Sequence, residues 1–503
     1  MKKLLLCNLI FISIAICTIL KVPSQYSTTQ TASPLMLALT TGPQPGKSNL
    51  SAKEASNTPI NVNVDLSAPV GEIGELLAGQ HNWQLDWLDA LESPIARRCC
   101  GYMWYDGTWP SEGEYHWNVL DEKVEGYIAQ GRKLILPFSH VPRWLWSDPD
   151  DPALNEPTVP GQFQFFDHIR IGNVLPPRNY EKWEELIYQS VKHLNVDNKY
   201  GVIFEAWNEP NAAWFWRGTM EEQFELYKHT ARAVKRADPN TLIGGPTLAG
   251  GPTHSKHSPS DQVSGYEWME AFIKYCAKNE VPVDFISWHY YEFYARKYNR
   301  AINFNEQVRL VKELIKKYPA IGNPKLVIDE WSYDWNGANG LYKTPFNAAW
   351  SIQSLYEIII SGVDIAVYTS SKGASLDAPN PTFGAFEMFN RLGSVRLKTD
   401  IKNRRSNVGV LASREEGKVS ILLWDFQEIP EAAEPAAQHV RLRLENLPPG
   451  NYKQVRYLAN DTRTDTSLLV AQSKLLQSDG KAQLEFELDT NGVTLVELTP
   501  TNP

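Results

Sequence analysis

The sequence predicts an α/β protein, a (β/α)8 TIM barrel followed by a C-terminal β-sandwich domain. Two observations carry this prediction. Between residue 60 and about residue 397, short runs rich in β-branched residues alternate with longer segments of helical periodicity, and the pattern recurs eight times. From residue 398 to 503 only short alternating strands separated by turns remain, which is typical of a sandwich. A chain of 503 residues is long enough for both domains.

Eight runs are predicted as barrel strands, and they lie at 76–81, 94–103, 133–139, 199–206, 242–246, 283–290, 325–331 and 363–369. Helical spacing is predicted at 119–129, 180–194, 221–237, 266–279, 307–317 and 347–361. The sandwich strands are predicted at 408–411, 419–426, 440–444, 452–458, 484–488 and 493–498. The predicted barrel domain spans residues 60–397, but an early strand at 61–66 within it is expected to join the sandwich.

The first 59 residues are predicted to precede the barrel. Lys2 and Lys3 stand before an apolar run at 4–20, which is typical of an export signal and borders on the length of a membrane anchor. Residues 1–21 are therefore interpreted as a signal peptide or an anchor, and residues 22–59, rich in Ser, Thr and Pro, as a disordered tether. We expect an exported protein that is secreted, periplasmic or tethered on the outer side of a membrane.

Composition excludes several classes of function. The net charge of −9 argues against nucleic acid as a partner. The five cysteines form neither a disulfide framework nor a CxxC zinc spacing, so we expect no metal and no cofactor. The 17 tryptophans and 22 tyrosines exceed what packing alone requires, and aromatic faces are surfaces on which sugars stack.

The strongest motif is the run FEAWNEPN at 204–211. Pro210 ends the fourth predicted strand because proline cannot donate to a sheet ladder, so Asn208 and Glu209 lie at the carboxyl rim of the barrel. Glu330 occupies the corresponding place at the end of the seventh strand. Each glutamate alone could be an ion-pair partner, but two carboxylates on one rim are what glycosidic cleavage needs.

These residues resemble the glycoside hydrolases of clan A, and most of all family 39, which includes β-xylosidases and α-L-iduronidases. The resemblance runs from about residue 179 to 390. It rests on FEAWNEPN at 204–211, VPVDFISWH at 281–289, DEW at 329–331 and TPFNAA at 344–349. The resemblance implies a retaining, two-carboxylate double-displacement mechanism.

The same resemblance implies roles for individual residues. Glu209 is expected to be the acid/base, Glu330 the nucleophile, and Asn208 the contact to the sugar 2-hydroxyl. His289 and Tyr291 match positions that line the site and hold the nucleophile, and Arg98 matches the strand-two arginine that positions it.

Two departures concern the sugar pocket. Where xylosidases carry Arg-Phe-His-Gly on strand two, this chain has Arg98, Cys99, Cys100 and Gly101, and the sugar-contacting histidine is absent. After strand eight, residues 368–373 replace a xylosidase stretch that carries paired glutamates. Both departures leave Glu209 and Glu330 in place, so they bear on the sugar that is bound and not on the reaction.

Tryptophans along the rim are expected to bind substrate, and those singled out are Trp331, Trp214 and Trp144, with Trp104, Trp109, Trp216 and Trp335 as further members. If these tryptophans form a series of stacking platforms along a cleft, they favour internal cleavage of an extracellular polysaccharide or oligosaccharide. The alternatives are an exo-acting β-xylosidase-like enzyme and a non-catalytic sugar-binding protein on the same barrel.

Three further polar residues lie in or near predicted strands. Glu205 is expected to be an acid of the barrel interior. Asp329 is expected to point away from Glu330, because side chains alternate along a strand. His81 ends strand one, where it either reaches the pocket or caps the barrel.

Overall fold

The computed structural model describes residues 59–81, 85–98, 107–158, 169–253, 264–297, 301–334, 340–369, 380–402, 407–427, 437–459 and 468–501. The predicted leader, all but the last residue of the predicted tether, and the rim residues Cys99, Cys100, Trp104 and Trp335 lie outside these ranges. So do residues 370–373 after strand eight. Within these ranges, no helix combines the length and the apolar character needed to cross a membrane.

A long strand, β1 (Ile60–Glu72), precedes a closed barrel of eight parallel strands. The barrel strands are β2 (Gly79–His81), β3 (Ile95–Arg97), β4 (Lys133–Pro137), β5 (Ile203–Glu205), β6 (Ile243–Leu248), β7 (Phe285–Tyr291), β8 (Lys325–Ser332) and β9 (Ile365–Thr369). They are hydrogen-bonded in chain order, and β9 pairs with β2 to close the ring. This confirms the predicted TIM barrel.

Branched and aromatic side chains fill the barrel interior below the rim, and they include Ile95, Ile135, Ile203, Phe285, Val327, Ile365 and Val367. The helices around the described barrel are α1 (Leu85–Ala90), α2 (Trp117–Ile128), α3 (Tyr180–Val191), α4 (Met220–Ala237), α5 (Gly265–Lys278), α6 (Glu292–Lys297), α7 (Phe304–Lys317), α8 (Pro345–Ser361) and α9 (Pro381–Phe389). Because the interior is packed with apolar groups, polar side chains are confined to its carboxyl end.

Local sequence explains where the main helices begin and end. Thr219 and Ser264 open α4 and α5 with reciprocal capping boxes to the glutamates three residues later. Pro345 opens α8, where its missing N–H costs nothing, and Gly362 ends that helix with a φ of 76°.

A second sheet of nine strands contains β1 and the C-terminal part of the chain. Its further members are β10 (Val395–Lys402), β11 (Val408–Glu415), β12 (Lys418–Asp425), β13 (Gln438–Glu445), β14 (Gly450–Leu458), β15 (Leu469–Ser478), β16 (Lys481–Leu488) and β17 (Val493–Pro500). β1 lies between β10, to which it is antiparallel, and β13, to which it is parallel. The early strand therefore joins the C-terminal module, and sequence periodicity missed β10 and β15.

Residues from distant parts of this sheet share one apolar core, as in a sandwich. Val62, Val410, Ile421, Leu442 and Leu484, from five different strands, are packed into the same buried cluster. The hydrogen bonding is continuous across all nine strands, so the sandwich is one sheet folded on itself.

The other face of this sheet packs on the barrel helix α8. Trp424 is fully buried, and its indole nitrogen donates to Gln353 Oε1 at 2.9 Å. The rings of Tyr356 and Trp424 lie 5.5 Å apart, and those of Phe346 and Phe426 lie 5.4 Å apart. The sheet therefore contributes to the core that surrounds the barrel.

Candidate active site

Glu209 and Glu330 meet at the carboxyl end of the barrel. Glu209 follows β5 in the left-handed region, with a φ of 45°, and its backbone N–H donates to the carbonyl of Thr247 at 3.0 Å. A non-glycine residue in this region costs on the order of 1–3 kcal/mol and persists where its surroundings fix it, as functional sites do. The side chains of Glu209 and Glu330 are 14% and 9% exposed.

The spacing of the two carboxyl groups bears on the reaction. One oxygen of Glu209, one oxygen of Glu330 and a nitrogen of His289 lie within 4.8 Å of one another. Retaining glycosidases hold their carboxyl groups about 5–5.5 Å apart, whereas inverting enzymes need about 6.5–9.5 Å to admit a water molecule. The observed spacing fits the retaining class.

Arg97 lies beneath both carboxylates with its guanidinium fully buried. It donates to Glu330 Oε1 at 2.5 Å, to Asn208 Oδ1 at 2.8 Å and to Glu205 Oε2 at 2.8 Å. Its Nε also lies 3.1 Å from Asp329 Oδ2. Burial lowers the pKa of Arg97, but the surrounding carboxylates, first that of Glu205, raise it above its ordinary value. The guanidinium therefore stays charged and fixes the geometry of the site.

The sequence prediction assigned this role to Arg98, whereas the residue that contacts Glu330 and Asn208 in the structure is Arg97. Arg97 is the last residue of β3, and side chains alternate along a strand, so the two arginines face opposite ways. Arg98 follows the strand, and its backbone N–H donates to the carbonyl of Ile135 on β4. A pair of adjacent arginines gives no sequence signal that tells which one faces inward.

His289 connects three carboxylates from the wall of the barrel. Its Nδ1 lies 2.8 Å from Glu209 Oε1 and 3.5 Å from Glu330 Oε2, and its Nε2 lies 3.0 Å from Asp329 Oδ2. Burial lowers the pKa of His289, but the carboxylates of Glu330 and Asp329 outweigh it, and the pKa lies well above the ordinary value. The ring is therefore an imidazolium that donates from both nitrogens.

Tyr291 supports Glu330 from the same strand. Its hydroxyl donates to Glu330 Oε2. Burial and the adjacent carboxylate raise the pKa of Tyr291 well above its ordinary value, so the hydroxyl keeps its proton. The structure thus places His289 and Tyr291 beside Glu330, where the resemblance put them.

The expectation that Asp329 points away from Glu330 is wrong. In the pairing of β7 with β8, Trp288 is opposite Ile328 and His289 is opposite Glu330, so Asp329 is an extra residue. Such a β-bulge re-aims side chains locally. The bulge turns both carboxylates of β8 toward the barrel axis, and Asp329 is fully buried there.

The predicted substrate-binding tryptophans separate into core and surface residues. Trp331 is 0% exposed and packs against Trp350, Tyr368 and Phe386, so it belongs to the core and is not a sugar platform. Trp214 is 43% exposed. Trp144 is half-buried, with its indole nitrogen donating to the carbonyl of Trp109. For Trp214 and Trp144, contact with a sugar stays a prediction.

His81 is a neighbour of Glu330 that sequence reasoning left open. Its Nδ1 lies 3.5 Å from Glu330 Oε1, so it reaches the site. Burial lowers the pKa of His81 well below its ordinary value, and the nearby charge of Arg97 lowers it further. His81 is therefore neutral, in contrast to His289.

Glu209, His289 and Glu330 are close enough together that a metal ion would be conceivable on distance alone. Both ring nitrogens of His289 already face carboxylates, however, and a metal-binding histidine must be neutral with one nitrogen free. We therefore assign no metal ligands in this cluster.

Comparison with known proteins agrees with this geometry. Residues 161–376 match the model of the glycosyl hydrolases family 39. A β-xylosidase from Geobacillus stearothermophilus is 29% identical over 444 residues, which cover 76% of this chain and 80% of that protein. The chain is a retaining glycoside hydrolase, and its residues 161–376 carry the family 39 match.

A second relative is named for a different substrate, and a solved structure shares the fold. An α-1,4-L-rhamnosidase from Formosa agariphila is 23% identical over 363 residues, which cover 69% of this chain and 69% of that protein. The crystal structure of the GH39 enzyme from Xanthomonas axonopodis pv. citri superposes with a TM-score of 0.70 at 18% identity, covering 88% of this chain and 98% of that one. At this identity, the similarity to the Xanthomonas enzyme supports the fold.

We predict that Arg97→Lys lowers kcat/KM on an aryl glycoside by at least about a hundredfold. A lysine keeps the charge but cannot donate separately to Glu330 and Asn208, because it lacks the planar fork of the guanidinium. Arg98→Lys is the matched control and should lose less than about tenfold. Equal losses in two folded variants would contradict the assignment to Arg97.

Proposed function

We propose that Glu330 is the nucleophile and Glu209 the acid/base of a double displacement. Glu330 attacks the anomeric carbon while the leaving oxygen takes the proton of Glu209, and a glycosyl ester forms on Glu330. Water then attacks the same carbon, gives its proton to Glu209 and releases Glu330. The spacing of the two carboxyl groups, with an oxygen of each within 4.8 Å, carries this proposal.

The hydrogen-bond partners support this division of roles. Glu330 accepts from the charged Arg97 and from Tyr291, and these two donors hold its carboxylate in place for attack. Glu209 has His289 as its partner and is the more exposed of the two side chains, so it can exchange a proton with solvent. A nucleophile must stay ionised, whereas an acid/base must gain and lose a proton.

Asn208 is oriented to donate to the substrate. Arg97 has only donors, so the atom of Asn208 that it contacts must be the amide oxygen. The amide nitrogen is then directed away from Arg97, and we assign it to the sugar 2-hydroxyl. Hydrogen bonds to this hydroxyl strengthen in the transition state of glycosidases.

We also propose that cleavage takes place at the end of a short saccharide and releases a terminal pyranose. The argument for internal cleavage depended on aromatic platforms, but Trp331, Trp109 and Trp216 are core residues with 0%, 2% and 3% exposure. The β-xylosidase relative makes a β-xyloside the first candidate substrate. The rhamnosidase relative and the missing strand-two histidine make a 6-deoxy sugar the second.

Internal cleavage is kept as the second candidate because Trp214 is 43% exposed. For the place of action, we propose export from the cytoplasm, since Lys2 and Lys3 followed by the apolar run at 4–20 are typical of a signal sequence. The substrate would then be an extracellular oligosaccharide.

The roles predict different behaviour for two variants. Glu330→Ala should lower kcat/KM on every substrate by at least about a thousandfold, because no glycosyl ester can form. Glu209→Ala should spare the first step on a dinitrophenyl glycoside, whose leaving group needs no proton, and added azide should accelerate turnover by replacing water. Glu225→Ala, on the surface of α4, is the matched control and should behave as the parent. Equal losses of Glu209→Ala and Glu330→Ala on all substrates would show that the roles are misassigned.

The substrate proposal is tested with aryl β-D-xyloside, β-D-glucoside and α-L-rhamnoside, together with xylobiose and xylan. We expect the highest kcat/KM on the xyloside or the rhamnoside, with the free monosaccharide as first product. Shortening of xylan to long fragments, with xylobiose left intact, would establish internal cleavage and overturn the proposal.

A further inference from the structure

Two carboxyl groups that the mechanism does not use lie side by side below the site. Glu205 at the end of β5 and Asp329 in the bulge of β8 are both 0% exposed. Both approach the same atom, Arg97 Nε, at 2.8 Å for Glu205 Oε2 and 3.1 Å for Asp329 Oδ2. The opposed strands β5 and β8 thus bring two acids onto one guanidinium.

The remaining oxygens of the pair are also buried. Glu205 Oε1 and Asp329 Oδ1 are buried and accept from no N–H or O–H donor among the described residues. Their other oxygens, Glu205 Oε2 and Asp329 Oδ2, both lie within 3.1 Å of Arg97 Nε, so the two carboxyl groups are adjacent. Adjacent buried carboxylates each disfavour ionisation of the other, so one of the two keeps a proton.

The charges that surround the pair decide where the proton lies. Among the described residues, Asp329 forms ion pairs with two cations, Arg97 and His289, and Glu205 forms one, with Arg97. The other neighbours are the carboxylates of Glu330 and Glu209, the neutral His81 on β2, and Arg98, the residue that follows Arg97. Asp329 therefore has the stronger electrostatic reason to be ionised.

We propose that Asp329 is a positioning residue of the reaction, ionised beside a Glu205 that keeps the shared proton. This inference rests on the roles proposed for Glu209 and Glu330. The ionised Asp329 holds His289 as an imidazolium and directs its Nδ1–H to Glu209. Because Glu205 is neutral, the anions that pair with the charge of Arg97 are Asp329 and Glu330.

With this arrangement the buried charges balance. Arg97 and His289 are cations, and Asp329 and Glu330 are anions, while Glu209 enters the reaction with its own proton. Burial raises the pKa of Glu205 well above its ordinary value, and the charge of Asp329 adds to this. Burial also acts to raise the pKa of Asp329, but His289 and Arg97 lower it below the ordinary value.

Amide substitutions distinguish the two acids. Gln in place of a protonated Glu205 keeps the same pattern, since its oxygen accepts from Arg97 and its nitrogen donates to Asp329. We expect Glu205→Gln to lower kcat/KM less than about tenfold. The acidic and alkaline limbs of the plot of kcat/KM against pH should stay where they are in the parent. Asp329→Asn should lower kcat/KM at least about a hundredfold and move the alkaline limb to lower pH, because His289 then loses its proton more readily.

Asp364→Asn is the matched control, because Asp364 bonds the backbone N–H of Leu326 on a neighbouring barrel strand without touching the site cluster. It should keep the kcat/KM and the pH profile of the parent. A loss in Glu205→Gln as large as that in Asp329→Asn would overturn the proposal. The proposal would also be overturned if Asp329→Asn left the limbs of the plot of kcat/KM against pH unchanged, since a purely structural role gives that result.

Infrared spectroscopy tests the proton directly, even if Asp329→Asn does not fold. In a Glu209→Gln background, the carbonyl band of a protonated carboxylic acid should be present at neutral pH and disappear when Glu205→Gln is added. A band that Glu205→Gln leaves unchanged, or the lack of any such band before the substitution, would contradict the proposal. This readout does not depend on turnover, so its failure is distinguishable from a failure of the roles proposed for Glu209 and Glu330.

Discussion

The burial of one charged guanidinium is the constraint on which the site depends. Arg97 is enclosed in the barrel, where an unpaired charge would be very unfavourable. It must therefore be surrounded by acceptors, and Glu205, Asn208, Asp329 and Glu330 supply them from three directions. The same contacts that satisfy Arg97 fix the positions of the amide and the carboxylate that meet the substrate. The contacts that stabilise the buried charge of Arg97 are therefore the same contacts that position the groups facing the substrate.

A second consequence is that the histidines near Glu330 take opposite charge states. His289 lies between carboxylates on both sides and is cationic, whereas His81 is buried with Arg97 nearby and is neutral. The two rings are equally apt for sugar binding or proton transfer when judged by type alone. Their environment assigns one as a charged donor to Glu209 and the other as a neutral neighbour of Glu330.

The sequence was sufficient for the fold and for the two rim carboxylates, because both depend on local patterns. Strands alternating with helices predict the barrel, and Glu209 and Glu330 stand out at strand ends. The sequence was insufficient where the alternation of side chains along a strand is interrupted, or where two registers of a strand are possible. The bulge at Asp329 leaves no mark in composition, and the choice between Arg97 and Arg98 depends on the register of β3, which ends at Arg97. Burial of Trp331 likewise depends on packing between distant helices.

The central claim is that Glu330 forms a covalent bond to the sugar, and trapping that intermediate tests it most directly. Incubation with a 2-deoxy-2-fluoro glycoside bearing an activated leaving group should inactivate the enzyme, because fluorine slows hydrolysis of the ester more than its formation. Mass spectrometry of the digested protein should then find the fluorosugar on the peptide that contains Glu330. A label on the peptide that contains Glu209, or turnover of the reagent without any labelled peptide, would contradict the account.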